Sequence, residues 1–115
     1  MINLHVSIAA NSVPYFAYMH ANYTKLASKH ELKWHAHCID RASFVHMSCR
    51  ADSSVFVGER ENPGSFVGAS AHGKSIKSAL LLSRQTEGDI DVVCDTDTVM
   101  LCKGWDVVTE DVLKT

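Results

Sequence analysis

Strand-like apolar segments alternate with helical ones along the 115 residues, and three of the strands run straight into a polar side chain. These two observations predict an α/β fold of three layers, α/β/α, built on a mostly parallel twisted sheet. The first strand is expected over Asn3–Ala10, where Leu4, Val6 and Ile8 alternate with polar residues. Ser12 can cap a helix that tolerates Pro14 in its first turn. Phe16, Met19, Tyr23 and Leu26 then recur at helical spacing, carrying that helix to about His30. Leu32–Ile39 alternates again, with Leu32, Trp34, Ala36 and Cys38 on one face and Lys33, His35 and His37 on the other; Asp40 closes it.

The second half reads less evenly. Residues 41–53 carry no clear period, and Ser43–Cys49 fits a helical turn or an irregular connection. Val55–Val57 is a short third strand, followed by the turn-forming Glu61-Asn62-Pro63-Gly64. A second long helix is expected from Ser75 to Ser83, with Ile76, Ala79 and Leu80 inward. Ile90–Cys94 is the fourth strand, and Trp105, Val108 and Val112 are spaced for a terminal helix.

Composition narrows the function. A hydrophobic content of 46% and a charged content of 21% suit one globular domain spanning residues 1–115. A net charge of −2 without a basic stripe argues against a nucleic-acid partner. No apolar run approaches the roughly 20 residues of a membrane span. The start, Met1-Ile2-Asn3-Leu4-His5, lacks the basic and long apolar regions of a secretory signal. Four cysteines form no CxxC pair, so a reducing, cytoplasmic setting is expected.

Asp95-Thr96-Asp97 carries the chemistry. Two carboxylates one residue apart, at the end of the apolar run Ile90–Cys94, suit a hard cation such as Mg²⁺ or Mn²⁺, which joins carboxylates to substrate phosphates. Asn11 and Asp40 also directly follow strands, so three polar positions converge on one edge of the sheet. In parallel sheets that edge binds ligands.

Gly68-Ala69-Ser70-Ala71-His72-Gly73-Lys74-Ser75 matches the phosphate-loop pattern GxxxxGK[ST] letter for letter. Such a loop needs a buried strand before it, and Pro63–Val67 is short and turn-like. A phosphate-loop NTPase is therefore the alternative reading.

Taken in order, the segments resemble the nucleotide-sugar-binding half of a GT-A glycosyltransferase, close in style to the glycosyltransferase 2 family. The resemblance begins at Ser7-Ile8-Ala9-Ala10-Asn11 and continues through Asp40. It then runs through Glu61–Gly64, Gly68, His72 and Gly73 to Glu87–Asp97, the counterpart of the family's approach to its DxD motif, with Gly104-Trp105 beyond. It implies a truncated GT-A, Rossmann-like fold and a metal-dependent transfer from a nucleotide sugar, most commonly a UDP-sugar. By the resemblance, Asp95 and Asp97 hold Mn²⁺ or Mg²⁺ and act in catalysis. Ala9, Ala10, Asn11 and Asp40 form the base and ribose pocket. Gly68, His72, Gly73, Asp95 and Thr96 meet the phosphates and sugar. The family's acceptor half has no counterpart in residues 98–115. Donor hydrolysis, a silent nucleotide-sugar-binding module, or completion by a second copy or partner chain are the corresponding expectations.

The remaining candidates are plainer. His35 and His37 read as the polar face of a strand, since zinc sites usually show clustered ligand pairs. His5, His20, His30 and His46 follow no pattern, and Glu110 and Asp111 read as a solvated helix face.

Overall fold

The computed structural model describes residues 1–60, 69–84 and 90–114, without the side chains of residues 10, 58–60 and 69–72. Its strands are β1 (Ile2–Ile8), β2 (Leu32–Asp40), β3 (Ser53–Arg60) and β4 (Ile90–Asp95). A 3₁₀ turn (Ala10–Ser12) leads into α1 (Val13–Leu26); α2 (Arg41–Met47), α3 (Ala69–Ser83) and α4 (Trp105–Leu113) complete the order. All strand pairs are parallel, in the order β3-β2-β1-β4. The expected α/β class and parallel sheet are therefore present.

The sheet has two chemically distinct faces. Ile2, Leu4, Val6 and Ile8 of β1 are fully buried and lie in register with Leu32, Trp34, Ala36 and Cys38 of β2 and with Ile90, Val92 and Cys94 of β4. This face joins Phe16, Met19 and Tyr23 of α1 and Trp105 of α4 in one apolar core. Burying each such side chain contributes about 2 kcal/mol. Trp34 sits edge-on to Phe16 and Tyr23, and the Trp105 indole donates to the Tyr23 carbonyl at 2.9 Å. The helical spacing of Phe16, Met19 and Tyr23 in α1 thus serves core packing.

Several boundaries differ from expectation. Helix α1 stops at Leu26, where the backbone of Ala27 turns extended. Segment 41–47 is a true helix because the Asp40 carboxylate caps it, accepting from the Ser43 amide at 2.8 Å. Helix α3 starts six residues earlier than Ser75, at Ala69.

The inner face of α3 also differs. Ser75 and Ala79 are buried, whereas Leu80 is exposed and Ile76 only partly covered. The reason lies opposite, because α3 meets the polar face of the sheet rather than the apolar one.

Candidate functional site

Strand β1 is the pivot of the fold. The chain passes from β1 to β2 and β3 on one side, then returns past β1 to place β4 on the other. The switch point lies between β1 and β4, and their carboxyl ends flank the crevice where parallel sheets bind ligands. Ser7 of β1 and Asp95 of β4 are register partners there. A cavity of about 120 Å³ opens beside them, lined by His5, Ser7, Ser75, Ile76, Val93 and Asp95 among others.

The Asp95–Asp97 turn has an alternating pattern. Asp95 and Asp97 are exposed and Thr96 between them is buried. The turn is tied back through Thr98, whose hydroxyl donates to the Asp95 carbonyl at 2.8 Å and lies 2.8 Å from the Tyr23 hydroxyl. Burial raises the Tyr23 pKa, so the phenol stays protonated and serves as a hydrogen-bonding strut. Met100 is pinned the same way, its amide donating to Asn22 Oδ1 at 2.7 Å. Helix α1 thus positions the acidic turn.

The other expected site residues distribute around this edge. Ala9 is extended, and its amide donates to Ser12 Oγ at 2.9 Å, which shapes the turn after β1; Asn11 is exposed. Asp40 sits at the same edge but is fully buried, engaged as the cap of α2. In this conformation it orders the β2–α2 junction rather than offering a surface to a base. Gly73 lies within α3 and is exposed. Gly68 and the side chains of Ala10 and His72 lie outside the described residues.

The phosphate-loop pattern meets a physical obstacle. From Ala69 onward its residues are helical, so they do not form the loop whose amides wrap phosphates. Ser75, which would face a metal in such a loop, is buried with its hydroxyl donating to the His37 carbonyl at 2.8 Å.

The cation donor set is simple. Among the described residues, no group of three or more His, Cys, Asp or Glu side chains is placed to hold a metal ion. Two exposed carboxylates one residue apart still fit Mg²⁺ or Mn²⁺, which often take one or two carboxylates and fill the remaining positions with water and phosphate oxygens.

Sequence reasoning missed a buried histidine layer on the polar face. His5, His35 and His37 are not solvated but almost fully buried, and the His5 and His35 rings stack with centroids 4.9 Å apart. His5 Nδ1 lies 3.1 Å from His37 Nε2, and His5 Nε2 lies 3.0 Å from Asp91 Oδ1. His37 Nδ1 meets Ser78 Oγ at 2.8 Å. His35 meets Asn3 Oδ1 at 2.8 Å and Ser53 Oγ at 2.6 Å. Burial, then the neighbouring His5 and His35 charges, hold His37 down to about 4; burial and the His5 charge lower His35 as well. The signal in the sequence was Asn3 and His5 of β1 and His35 and His37 of β2, all on the alternate that faces away from the apolar core.

Glu110 also departs from expectation. It contacts His30 Nε2, Lys29 and Lys114, and those hydrogen bonds, Lys114 first, pull its carboxyl down to about 2.

No protein-family model matches this chain, and no curated protein or solved structure matches it. The fold and its edge define the class: a small α/β protein with an all-parallel four-stranded sheet, compatible with a Rossmann-like α/β fold.

Proposed function

We propose that this chain is the donor-binding unit of a metal-dependent glycosyltransferase, a minimal three-layer GT-A-like domain that takes a nucleotide diphosphate sugar, UDP being the preferred nucleotide. One observation carries the reading: Asp95 and Asp97 stand exposed at the carboxyl end of β4, across the switch point from the end of β1. The order of motifs along the chain supports the same assignment. In this reading Asp95 and Asp97 hold Mn²⁺ or Mg²⁺, which supplies Lewis-acid stabilisation to a departing diphosphate. Ala9, Ala10 and Asn11 border the nucleoside, and Asp40 orders the neighbouring edge. Gly68, His72, Gly73 and Thr96 border the diphosphate and sugar. In this reading the unit transfers the sugar to water, or to an acceptor bound by a second copy or a partner chain.

Titration calorimetry with UDP, GDP, ADP and their sugars, with and without Mn²⁺, tests the assignment. The expected result is Mn²⁺-dependent binding of a nucleotide sugar. Metal-independent binding, or preference for ATP over every nucleotide sugar, would overturn it. Product analysis then separates two forms: released UDP marks an enzyme, and intact donor after long incubation marks a binding module.

A further inference from the structure

We propose that the His5–His37 pair is an acid-sensitive latch, which holds α3 against the sheet and releases it when the pair takes up a second proton. The latch is a continuous line of hydrogen bonds through four elements: Asp91 of β4, His5 of β1, His37 of β2 and Ser78 of α3. With both rings neutral the line is matched at every atom. His5 Nε2–H donates to Asp91, His37 Nε2–H donates to His5 Nδ1, and the Ser78 hydroxyl donates to His37 Nδ1. Each neutral imidazole has one donor and one acceptor, which this order satisfies.

One added proton reverses the line without breaking it. His5 then carries two N–H groups and pairs with Asp91 as an ion. His37 Nε2 accepts from His5, and His37 Nδ1–H donates to Ser78 Oγ. A second proton has no such arrangement. It sets two N–H groups against each other across 3.1 Å, with the His35 ring stacked on His5. Two such neighbouring rings take up their protons in two separate steps, and only the second breaks the line.

The surroundings balance one positive charge and not two. From β1 the pair faces Asn3 and Ser7, both neutral; from β2 it faces His35, with Lys33 exposed beyond. Strand β3 supplies Ser53, with Asp52 acting on His35 from a distance. Strand β4 supplies Asp91, in contact with His5, and Asp95 at its end. Helix α3 supplies Ser75 and Ser78, while its Lys74 and Lys77 are exposed. Both His5 and His37 are 0% exposed, so solvent cannot screen the second charge.

Helix α3 is the element that yields, because the described side chains it buries against the sheet are short, Ser75 and Ala79, with Ile76 only partly covered. Ser75 Oγ donates to the His37 carbonyl at 2.8 Å and Ser78 meets the His37 ring, while no described α3 residue belongs to the main apolar core. Ser75, Ile76 and Ala79 also wall the cavity beside Asp95. Release therefore opens that cavity; its effect on donor binding rests on the proposed function, whereas the latch itself does not.

Hydrogen-exchange protection factors, corrected for the intrinsic pH dependence of exchange, test the latch on the ligand-free protein. Between about pH 7 and about pH 4.5, α3 amides are expected to lose about a hundredfold in protection and to exchange more readily than α1 amides throughout, since release of α3 leaves the apolar core folded and the one further proton taken up contributes tenfold per pH unit. In His37→Gln, which removes the second titrating ring, α3 protection is expected to stay nearly level. Equal protection of α3 and α1 amides across this range in the unsubstituted protein, or an undiminished α3 loss in His37→Gln, would overturn the proposal. If that variant does not fold, ¹⁵N spectra of the histidine rings in the unsubstituted protein decide. Double protonation of the pair coinciding with α3 loss supports the latch, and double protonation with α3 still protected refutes it.

Discussion

Asp106 gathers the loop that carries His30: its carboxylate accepts the His30 amide at 2.7 Å and lies 3.0 Å from the His30 ring nitrogen Nδ1. The same carboxylate accepts the Ser28 and Lys29 amides at 2.9 and 2.8 Å. A fully buried anion is costly, and these donors offset the cost, holding Asp106 well below the usual carboxylate range despite its burial. The contact joins the α1–β2 connection to the first turn of α4 and so closes the end of the domain opposite the candidate site.

Asp106→Asn replaces one acceptor oxygen by an amide group facing backbone N–H donors. A loss of about 3 kcal/mol in unfolding free energy is expected, because buried donors are left unmatched beside a lost charge. Glu110→Gln, at the rim of the same cluster, is expected to cost distinctly less. Urea denaturation of the two variants checks the ranking, and equal losses would contradict it.

Acid should destabilise the domain in two separate windows. His37 sits at about 4 when folded, against about 6.5 in an unfolded chain. The unfolded state therefore binds the proton first, and stability falls as pH drops from about 6.5 to about 4, by roughly 3 kcal/mol for this ring. Asp106 and Glu110 are depressed carboxylates, so their contribution is complete above their unfolded values and fades as pH falls further, through about 2 for Glu110. Urea midpoints measured across this range should show both declines. His37→Gln should remove most of the upper one, leaving the share that His35 contributes, and none of the lower.

Two glycines should respond in opposite directions. Gly73 lies in α3, and an added Cβ there meets nothing within 4 Å. Gly73→Ala is expected to raise stability by about 0.5–1 kcal/mol through helix propensity. Gly104 caps α4 at φ +82°, and its amide donates to the Leu26 carbonyl at 2.6 Å. Gly104→Ala forces a side chain into that left-handed conformation and should cost about 1 kcal/mol. Thermal melts of both variants provide the comparison. A Gly73→Ala protein that is more stable yet binds donor poorly would point to a close approach of ligand to that backbone.

The acidic turn and the phosphate-loop pattern make opposite demands on mutagenesis. On the proposed function, Asp97→Ala is expected to reduce metal-dependent UDP-sugar turnover by at least about a hundredfold, the effect that losing a metal ligand would have. Lys74→Ala should leave most of it, since Lys74 is exposed on a helix that begins before the pattern could form a loop. Initial rates with saturating Mn²⁺ check both. Loss of all nucleotide binding in Lys74→Ala alone would reinstate the phosphate-loop reading.

Much of the fold was legible from local pattern. Alternation at Leu4, Val6 and Ile8, and again at Leu32, Trp34, Ala36 and Cys38, marked the face that packs on Phe16, Met19 and Tyr23. Segment 41–47 was not legible because it is too short for a period and depends on the single cap at Asp40. The polar alternates were misread for a different reason. His35 and His37 have the appearance of a plain polar face, and His5 of a residue without pattern, when each strand is taken alone, since a lone polar residue carries no mark of its partners.

Local alternation and strand-end chemistry were thus enough to determine the α/β class, the apolar face, and the position of the two aspartates at a strand's end. Strand order and histidine burial were decided only by tertiary structure. Both depend on which strands become neighbours, and Asp91 reaches His5 from 86 positions away along the chain. A buried imidazole is tolerable only when such a distant partner arrives to match its nitrogen atoms, which no local pattern records.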